Sequence, residues 1–243
     1  MAPTRTSHAL NYFAHPAHGP LPAILLVLTF GTGLVDATSI IGLGRVFVAN
    51  MTGNIVFIGF ALARVPGYSL WGSLVALAGF LVGASIGGVA ITRFSTHRGK
   101  LLRNALVVQL ALFAAVLAIS ISGEAPLHLG HQLLILTLGA IALGIQNAVV
   151  RHLAVPDMTT TVLTMTLTGI ASDLRKRDLT TATRRLIAVL AMLIGAVIGA
   201  ILVVNLGVSA GIAAVTIVLA AALVGATFAA RGTPSWTASA AAA

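Results

Sequence analysis

One carboxylate, Asp36, lies inside a long apolar run. It follows Leu21 by 15 residues in the otherwise uncharged stretch 21–44. A charged carboxylate at the centre of a bilayer costs about 2.5–3.5 kcal/mol on insertion scales, so such a residue is normally paired, protonated or in contact with water. The position predicts a site that couples a proton or cation to solute movement, or that contacts the solute. The alternative is a structural carboxyl that accepts hydrogen bonds from Asn, Thr or a broken helix end.

A second polar motif interrupts the uncharged run 46–63. It consists of Asn50, Met51, Thr52, Gly53 and Asn54. Asparagine side chains in hydrocarbon need hydrogen-bond partners, which disfavours a simple lipid-facing helix. We expect Gly53 to break the helix and to free backbone carbonyls for an ion or a substrate. The alternative is a set of interhelical hydrogen bonds that only fixes the packing.

A third group of polar residues lies in the second half of the chain. Thr161, Thr164 and Thr168 follow the i, i+3, i+7 spacing of one helix face, although threonine also satisfies carbonyls of its own helix. The amides of Gln146 and Asn147 precede them and are expected to share their cavity. The predicted substrate or ion pathway therefore comprises Asp36, Asn50, Thr52, Gly53, Asn54, Gln146, Asn147, Thr161, Thr164 and Thr168.

Enzymatic and metal chemistry find little support in the residues. The chain has no cysteine and no H-E-x-x-H or Walker A pattern. His128 and His131 lie near Glu124, but two histidines and one carboxylate are a weak metal signal and are interpreted as solvated loop residues. The sequence predicts no catalytic residues, no metal and no cofactor.

The composition indicates the environment of these groups. Of 243 residues, 58% are hydrophobic and 8% are charged, against about 25% charged in a typical soluble domain. The mean hydropathy is +1.04. We therefore expect an all-α, polytopic transmembrane helix bundle whose main partner is the lipid bilayer. The net charge of +9 comes from Lys and Arg in short loops, a pattern that sets topology and meets lipid head groups, so no nucleic acid is expected.

The distribution of Lys and Arg decides between six and eight membrane spans. If the ambiguous stretches 46–63 and 153–172 do not cross, all but two of the 14 basic residues lie on one side. If both cross, the basic residues divide almost evenly. Cytoplasmic loops are enriched in Lys and Arg, so we predict six spans plus two re-entrant or broken segments, in the bacterial inner membrane with both termini cytoplasmic. The predicted spans are residues 21–44, 65–92, 104–123, 132–150 and two helices within 186–230 that turn at Asn205-Leu206-Gly207.

The spans are predicted to form a single domain with an internal repeat. Residues 21–229 make up the domain, after an N-terminal extension (1–20) and before a tail (230–243) expected to be disordered. The repeat halves are about 21–123 and 131–229. Three spans per half is an odd number, which predicts an inverted repeat like those of many secondary transporters. Three pairs of segments match in order: 33–37 with 144–148, 48–52 with 155–159, and 81–87 with 193–199.

Small residues recur one turn apart in two of the predicted helices. Gly79, Gly83 and Gly87 form one stripe, and Gly195 and Gly199 echo it. Such stripes let helices approach closely. The pattern leaves open whether the partner helix belongs to the same chain or to a second copy, and a homo-oligomer stays an alternative.

Two of these motifs also carry a family resemblance. The run Gly33-Leu34-Val35-Asp36-Ala37, followed by 46–54 (VFVANMTGN), resembles the YoaK family, known as domain of unknown function 1275. The later 144–148 and the pair Thr168-Gly169 are similar to the same pattern, and the resemblance extends from about residue 21 to 229. It implies a bacterial inner-membrane protein of several helices and no established activity.

The function that these residues favour is transport. We expect a small secondary transporter or channel-like protein for an unknown small solute, coupled to a proton or cation through Asp36. The alternative is a non-transporting structural or accessory membrane protein whose buried polar residues only fix helix packing. An intramembrane enzyme is disfavoured because no His lies deep in a predicted span. The solute, the coupling ion and the direction of transport stay open.

Overall fold

The computed structural model describes residues 17–123, 128–156, 158, 160–161, 163–231 and 235–237. Glu124, the N-terminal residues 1–16 and most of the tail lie outside this part. Within it the chain is all-helical, which confirms the predicted fold class. The helices are α1 (Leu21–Gly42), α2 (Met51–Leu62), α3 (Leu70–Phe94), α4 (Arg98–Ser122), α5 (Leu129–Leu153), α6 (Leu163–Arg175), α7 (Leu179–Leu206) and α8 (Val208–Ala229), followed by a 3₁₀ turn (Ser235–Thr237).

Six of these helices are long and apolar enough to cross a membrane, which confirms the predicted polytopic bundle. They hold 22 to 28 residues, or about 33–42 Å at 1.5 Å per residue. The short helices α2 and α6 hold 12 and 13 residues, or about 18–20 Å. A hydrocarbon core of about 30 Å is too thick for either of them. They begin in the stretches 46–63 and 153–172, which the distribution of Lys and Arg predicted not to cross the membrane.

Two of the long helices, α4 and α7, begin earlier in the chain than their apolar runs predict, within the basic segments that precede those runs. α4 begins at Arg98 and α7 at Leu179, so basic residues such as Lys100 and Arg184 belong to their first two turns. Side-chain caps fix both starts: His97 Nδ1 accepts from the Lys100 amide at 3.2 Å, and Asp178 Oδ1 accepts from the Thr181 amide at 3.1 Å. The hydrogen bonds from Thr181 hold the pKa of Asp178 below its usual value of 3.8. The turn between α7 and α8 falls at Gly207, as predicted, with a φ of 88°.

Two helix pairs form the centre of the bundle, and each joins one helix from each half of the chain. α1 packs along α7, and α3 packs along α5. α4 and α8 contact each other, and they cover α5 and α1 respectively. The short helices lie outside these pairs, α2 against α3 and α6 against α7. α1 and α5 are the most buried of the long helices, so the polar residues that they carry are enclosed by protein.

Glycines set the close approach within both pairs. A Cβ on Gly83 would overlap the carbonyl oxygen of Ile141, and a Cβ on Gly195 would overlap that of Phe30. Gly79 and Gly87 also face α5, and Gly199 faces α1. The glycine stripes are therefore used inside this chain, where they bring backbones into direct contact.

Candidate site at the first turns of two short helices

After α1 the chain turns back towards the interior of the bundle. Residues 43–50 return along α1 until the Ala49 amide donates to Asp36 Oδ1 at 3.1 Å. α2 then runs back towards the end of α1, where Phe57 lines a cavity with Ile41, Gly44 and Arg45. α2 therefore begins at the depth of Asp36 and ends near the surface. We call this surface the Arg45 end.

The chain takes a similar course after α5, at the opposite end of the bundle. After α5 the chain returns to the depth of Gln146 and Asn147, where Asn147 Nδ2 donates to Thr161 Oγ1 at 2.8 Å. α6 follows and runs towards the end of α5, so that Met165 lines a cavity with Arg151. We call this surface the Arg151 end. The segments that precede both short helices thus bond to the buried helices α1 and α5, while Thr52 and Thr164 in the first turns are exposed.

The starts of α2 and α6, with the residues just before them, line one cavity, which we call the central cavity and which is open on the side where Thr52, Val56 and Thr164 are exposed. Its volume is about 400 Å³. Hydroxyl and amide groups supply its polar surface, and apolar side chains supply the rest. The lining residues are Asn50, Thr52, Gly53, Val56, Thr161, Leu163, Thr164 and Met192. Five residues that the sequence assigned to a pathway therefore meet here, three from the first half and two from the second.

Asp36 lies beside the central cavity without lining it. Its side chain is 6% exposed, and its Oδ1 holds the Ala49 amide just before the cavity residue Asn50. Its Oδ2 is buried and has no hydrogen-bond partner in the described part of the chain. The carboxyl group therefore fixes the backbone that enters α2 and keeps one oxygen free to accept a proton or a cation.

Asn54 and Gly53 have roles different from those expected. Asn54 is fully buried, and its amide binds both backbone groups of Phe47: Oδ1 accepts from the Phe47 amide at 2.9 Å and Nδ2 donates to its carbonyl at 2.7 Å. Asn54 therefore does not line the cavity. Gly53 does not break the helix, since α2 runs unbroken from Met51, and a Cβ there would overlap the Phe47 ring. Both residues hold Phe47 against α2.

The predicted threonine face is shorter than expected. α6 begins at Leu163, so Thr161 lies in the bend before it and shares no helix face with Thr164 and Thr168. Thr161 is buried and bound to Asn147, whereas Thr168 is exposed and donates to the carbonyl of Thr164 at 3.0 Å. Thr168 therefore satisfies its own helix and lies outside the central cavity.

A buried chain of amides adds a residue that sequence reasoning missed. Gln109 Nε2 donates to Gln146 Oε1 at 2.7 Å, and Gln146 Nε2 donates to Thr160 Oγ1 at 3.1 Å. Gln146 therefore anchors the segment before α6 to α4 and does not line the central cavity. The available signal was an amide inside the uncharged apolar run 104–123, five residues after the Asn104 that begins the run.

Two further cavities flank the central one. At the Arg151 end, a cavity of about 450 Å³ is lined by Asn147, Arg151, Thr160 and five apolar residues. Asn147 lines this cavity while its partner Thr161 lines the central one, so their hydrogen bond lies between the two. At the Arg45 end, a cavity of about 550 Å³ lies beside Arg45, Phe57 and Tyr68.

An aromatic cluster stands between the central cavity and the Arg45 end. The rings of Phe47 and Phe57 stack at 5.5 Å, and Tyr68 lies 5.0 Å from Phe57 and 5.1 Å from Phe60. The Arg45 guanidinium lies 5.6 Å from the centre of the Tyr68 ring. A solute that moved from the central cavity towards this end would have to pass or displace these rings.

Arg98 is a second residue that the sequence did not single out. Its buried guanidinium donates to the carbonyls of Ala17 at 3.2 Å, Trp236 at 3.4 Å and Leu153, and it contacts His18 Nδ1 at 3.0 Å. These bonds tie the segments before α1 and after α8 to the end of α5. Ala154 and Val155, which follow Leu153, line the cavity at the Arg151 end.

The remaining acidic and histidine residues form no metal site in the described part of the chain. The rings of His128 and His131 lie 6.3 Å apart. Asp173 pairs with Arg185 at 3.0 Å, which ties α6 to α7.

Six apolar spans and two short helices, each preceded by a segment bonded to a buried span, define a polytopic helical membrane protein. Residues 24–226 match the family described as "Protein of unknown function (DUF1275)". The chain is 30% identical over 187 residues to the UPF0700 transmembrane protein YoaK of Bacillus subtilis (strain 168). This match covers 71% of the chain and 80% of the relative. No solved structure matches significantly. The protein therefore belongs to the DUF1275 family, which confirms the resemblance seen in the motifs.

Proposed function

We propose that the protein is a small secondary transporter or channel-like protein for a small solute. The observation that carries the proposal is the central cavity, which the first turns of α2 and α6 line from the two halves of the chain. Interrupted helices that meet inside a bundle are the usual setting of substrate sites in secondary transporters. Non-helical backbone at membrane depth is tolerated only where protein buries it or where it lines a cavity.

The proposal includes an inverted repeat that relates the two halves. The helix pairs support it, because α1 packs on α7 as α5 packs on α3. Equivalent glycines contact equivalent residues: Gly33 approaches the Met192 carbonyl, and Gly144 approaches the Phe80 carbonyl. These positions differ by 111 and 112 residues, the offsets of the sequence matches. With three long helices in each half, the halves would have opposite orientations in the membrane.

Two barriers would control access to the central cavity. The Asn147–Thr161 hydrogen bond separates it from the cavity at the Arg151 end, and the rings of Phe47, Phe57 and Tyr68 stand towards the Arg45 end. Opening one barrier at a time would give alternating access. Opening both together would give a channel.

Asp36 would couple transport to a proton or a cation. A carboxyl group at membrane depth with one unpartnered oxygen is costly when charged, so its charge state would depend on a bound proton or ion. Its other oxygen holds the Ala49 amide, which places any such change next to Asn50 in the cavity wall. The position that matches Asp36 in the second half is Asn147, which is neutral, so only one half of the proposed repeat would titrate.

We further propose that the Arg151 end faces the cytoplasm of a bacterial cell. Loops rich in Lys and Arg stay on the cytoplasmic side, and this end collects most of the basic residues, whereas Arg45 and Arg64 lie at the other end. Both termini would then be cytoplasmic. We assign no enzymatic reaction, since the sequence carries no H-E-x-x-H or Walker A pattern.

A structural or accessory role is the second candidate. Two sets of hydrogen bonds favour it. The Asn54 amide bonds to both backbone groups of Phe47, and a chain of hydrogen bonds runs from Gln109 through Gln146 to Thr160. Polar residues paired in this way fix helix packing without transport. The two candidates differ in whether water enters the central cavity.

Thiol labelling separates the two candidates. The chain has no cysteine, so Thr52→Cys or Thr164→Cys would carry the only thiol, at the cavity wall. A charged, membrane-impermeant methanethiosulfonate should label both variants in membranes opened to both sides. Leu193→Cys is the control: Leu193 adjoins the cavity residue Met192 but is 56% exposed on the bundle surface, and in lipid its thiol stays protonated and out of reach. Folded Thr52→Cys and Thr164→Cys variants that resist labelling from both sides would favour the structural role.

Transport itself is tested in proteoliposomes with a panel of small neutral, anionic and cationic solutes. Flux of one of them should stop after the Thr164→Cys variant is labelled, while the labelled Leu193→Cys control should retain it. The Asp36→Asn variant keeps an oxygen for the Ala49 amide and should lose the pH dependence of this flux. Flux whose pH dependence is unchanged in Asp36→Asn would remove the coupling role.

A further inference from the structure

A groove runs along one side of the α3–α5 pair and is separate from the central cavity. α3 contributes Phe80, Ala84 and Ile91, and α5 contributes residues 147–148 and 151–152. Phe80 and Ile91 are 11 residues apart, so the groove extends about 16 Å along the helix. Its volume is about 580 Å³. Its walls belong to two membrane-spanning helices, which places it against the bilayer.

The chemistry of the groove changes along its length. Phe80, Ala84 and Ile91 make its walls apolar, and Arg151 and His152 are exposed where α5 ends. The acidic residues of the described region do not line it, and within that region neither Arg151 nor His152 forms an ion pair. A complementary occupant is therefore apolar along most of its length and negatively charged at one end.

We propose that this groove binds one anionic phospholipid. An acyl chain lies along Phe80, Ala84 and Ile91, and the phosphate lies between the Arg151 guanidinium and His152. Basic pockets between transmembrane helices are known sites for anionic head groups. A small soluble anion would leave the apolar walls uncovered, and a zwitterionic lipid would leave the cationic end without a net countercharge.

The location also gives the lipid a structural consequence. Arg151 lines both the groove and the cavity at the Arg151 end, so it stands between them. A head group on Arg151 would therefore sit at the edge of that cavity and draw the guanidinium away from it. The lipid site itself does not depend on transport, because it requires only the groove, Arg151 and His152.

The test measures the melting temperature of the purified full chain in neutral detergent with added lipid. Phosphatidylglycerol or cardiolipin should raise it by several degrees, since a ligand that binds only the folded state stabilises that state, and phosphatidylcholine should not. The Arg151→Gln/His152→Gln double variant should lose most of this rise. Both residues are exposed at the end of a helix, so the variant should fold.

The control removes two positive charges elsewhere at the same end of the bundle. The Arg175→Gln/Lys176→Gln variant changes exposed residues at the end of α6, outside the groove, and should keep the full response to anionic lipid. An equal loss in this control would show a diffuse charge effect and overturn the site. A response to phosphatidylcholine equal to that to phosphatidylglycerol would also overturn it, as would the absence of any response.

A second variant tests the acyl chain. Ala84→Leu fills the apolar part of the groove and leaves Arg151 and His152 in place, so it should weaken the response to phosphatidylglycerol. Glycerol phosphate, which carries the head-group charge without a chain, should stabilise the wild-type protein far less than the lipid. Equal stabilisation by glycerol phosphate, or an undiminished lipid response in Ala84→Leu, would make the occupant a soluble anion and overturn the proposal.

Discussion

The Asn147 amide donates to the Thr161 hydroxyl at 2.8 Å, and this hydrogen bond joins the long helix α5 to the bend that precedes the short helix α6. Asn147 lines the cavity at the Arg151 end, and Thr161 lines the central cavity. The bond is therefore both a packing contact and a part of the wall between two cavities. Changing either partner should affect stability and access together.

A double-mutant cycle measures the energy of this bond. Thr161→Val keeps the side-chain volume but leaves the Asn147 amide without an acceptor, so it should lower the free energy of unfolding by about 1–3 kcal/mol. Adding Asn147→Ala should cost less than the sum of the single changes, with a coupling of about 1 kcal/mol. Denaturation by increasing SDS gives these differences. Additive effects would show that the bond does not form in the membrane.

The glycine contacts predict opposite effects at neighbouring positions of α3. Gly83→Ala places a Cβ on the Ile141 carbonyl and should force α3 from α5 at a cost of about 1–3 kcal/mol. Gly88→Ala is the matched control, because a Cβ there meets no atom within 4 Å. It should be neutral or stabilise the helix by up to about 1 kcal/mol. Melting temperatures of the two variants check this, and equal losses would contradict the α3–α5 contact.

Asn54 should be among the least replaceable polar residues of the first half. Asn54→Leu leaves the Phe47 amide and carbonyl without their partners in a buried position, and each unpaired group should cost about 1–3 kcal/mol. Asn205→Leu is the control: Asn205 is exposed and donates to the Ile201 carbonyl of its own helix. Folded yield and melting temperature should fall for the first variant and change little for the second.

Arg98 should hold the C-terminal segment at the Arg151 end. Trp236 packs near Gly19, and its carbonyl accepts from Arg98 at 3.4 Å. In a Trp71→Phe background Trp236 is the remaining tryptophan, since the chain has two. Arg98→Gln should shift its fluorescence to longer wavelengths and increase quenching by iodide, because the segment is released into water. Arg103→Gln removes a side chain that bonds to the neighbouring Asn104, and it should leave the spectrum unchanged.

The helical membrane fold followed from properties that are local in sequence. Apolar runs long enough to cross the bilayer give α1, α3, α4, α5, α7 and α8, and the basic residues separate them from the two short segments. The helix starts were less predictable. α4 and α7 begin within basic segments because His97 and Asp178 cap them, and hydropathy carries no signal for a cap.

The polar residues show where such reasoning stops. Residue type identified Asn50, Thr52, Gly53, Thr161 and Thr164, and these line one cavity. The same argument selected Asn54 and Gln146. Their amides instead donate to the Phe47 carbonyl and the Thr160 hydroxyl, and neither residue lines the cavity. Residue type is the same whether an amide lines a cavity or bonds to a backbone carbonyl. Only the tertiary structure around the side chain distinguishes these two roles.

By itself the sequence determined that the chain lies in a membrane, how many helices cross it and which polar residues are costly enough there to need an explanation. These depend on the transfer of each side chain from water to lipid, which is a property of short stretches. Only the tertiary structure decided that α1 pairs with α7 and α3 with α5, and that the first turns of α2 and α6 share a cavity. Those outcomes depend on close backbone contacts at a few glycines, between residues from 58 (Gly83 and Ile141) to 165 (Phe30 and Gly195) positions apart in the chain, which no local sequence pattern specifies.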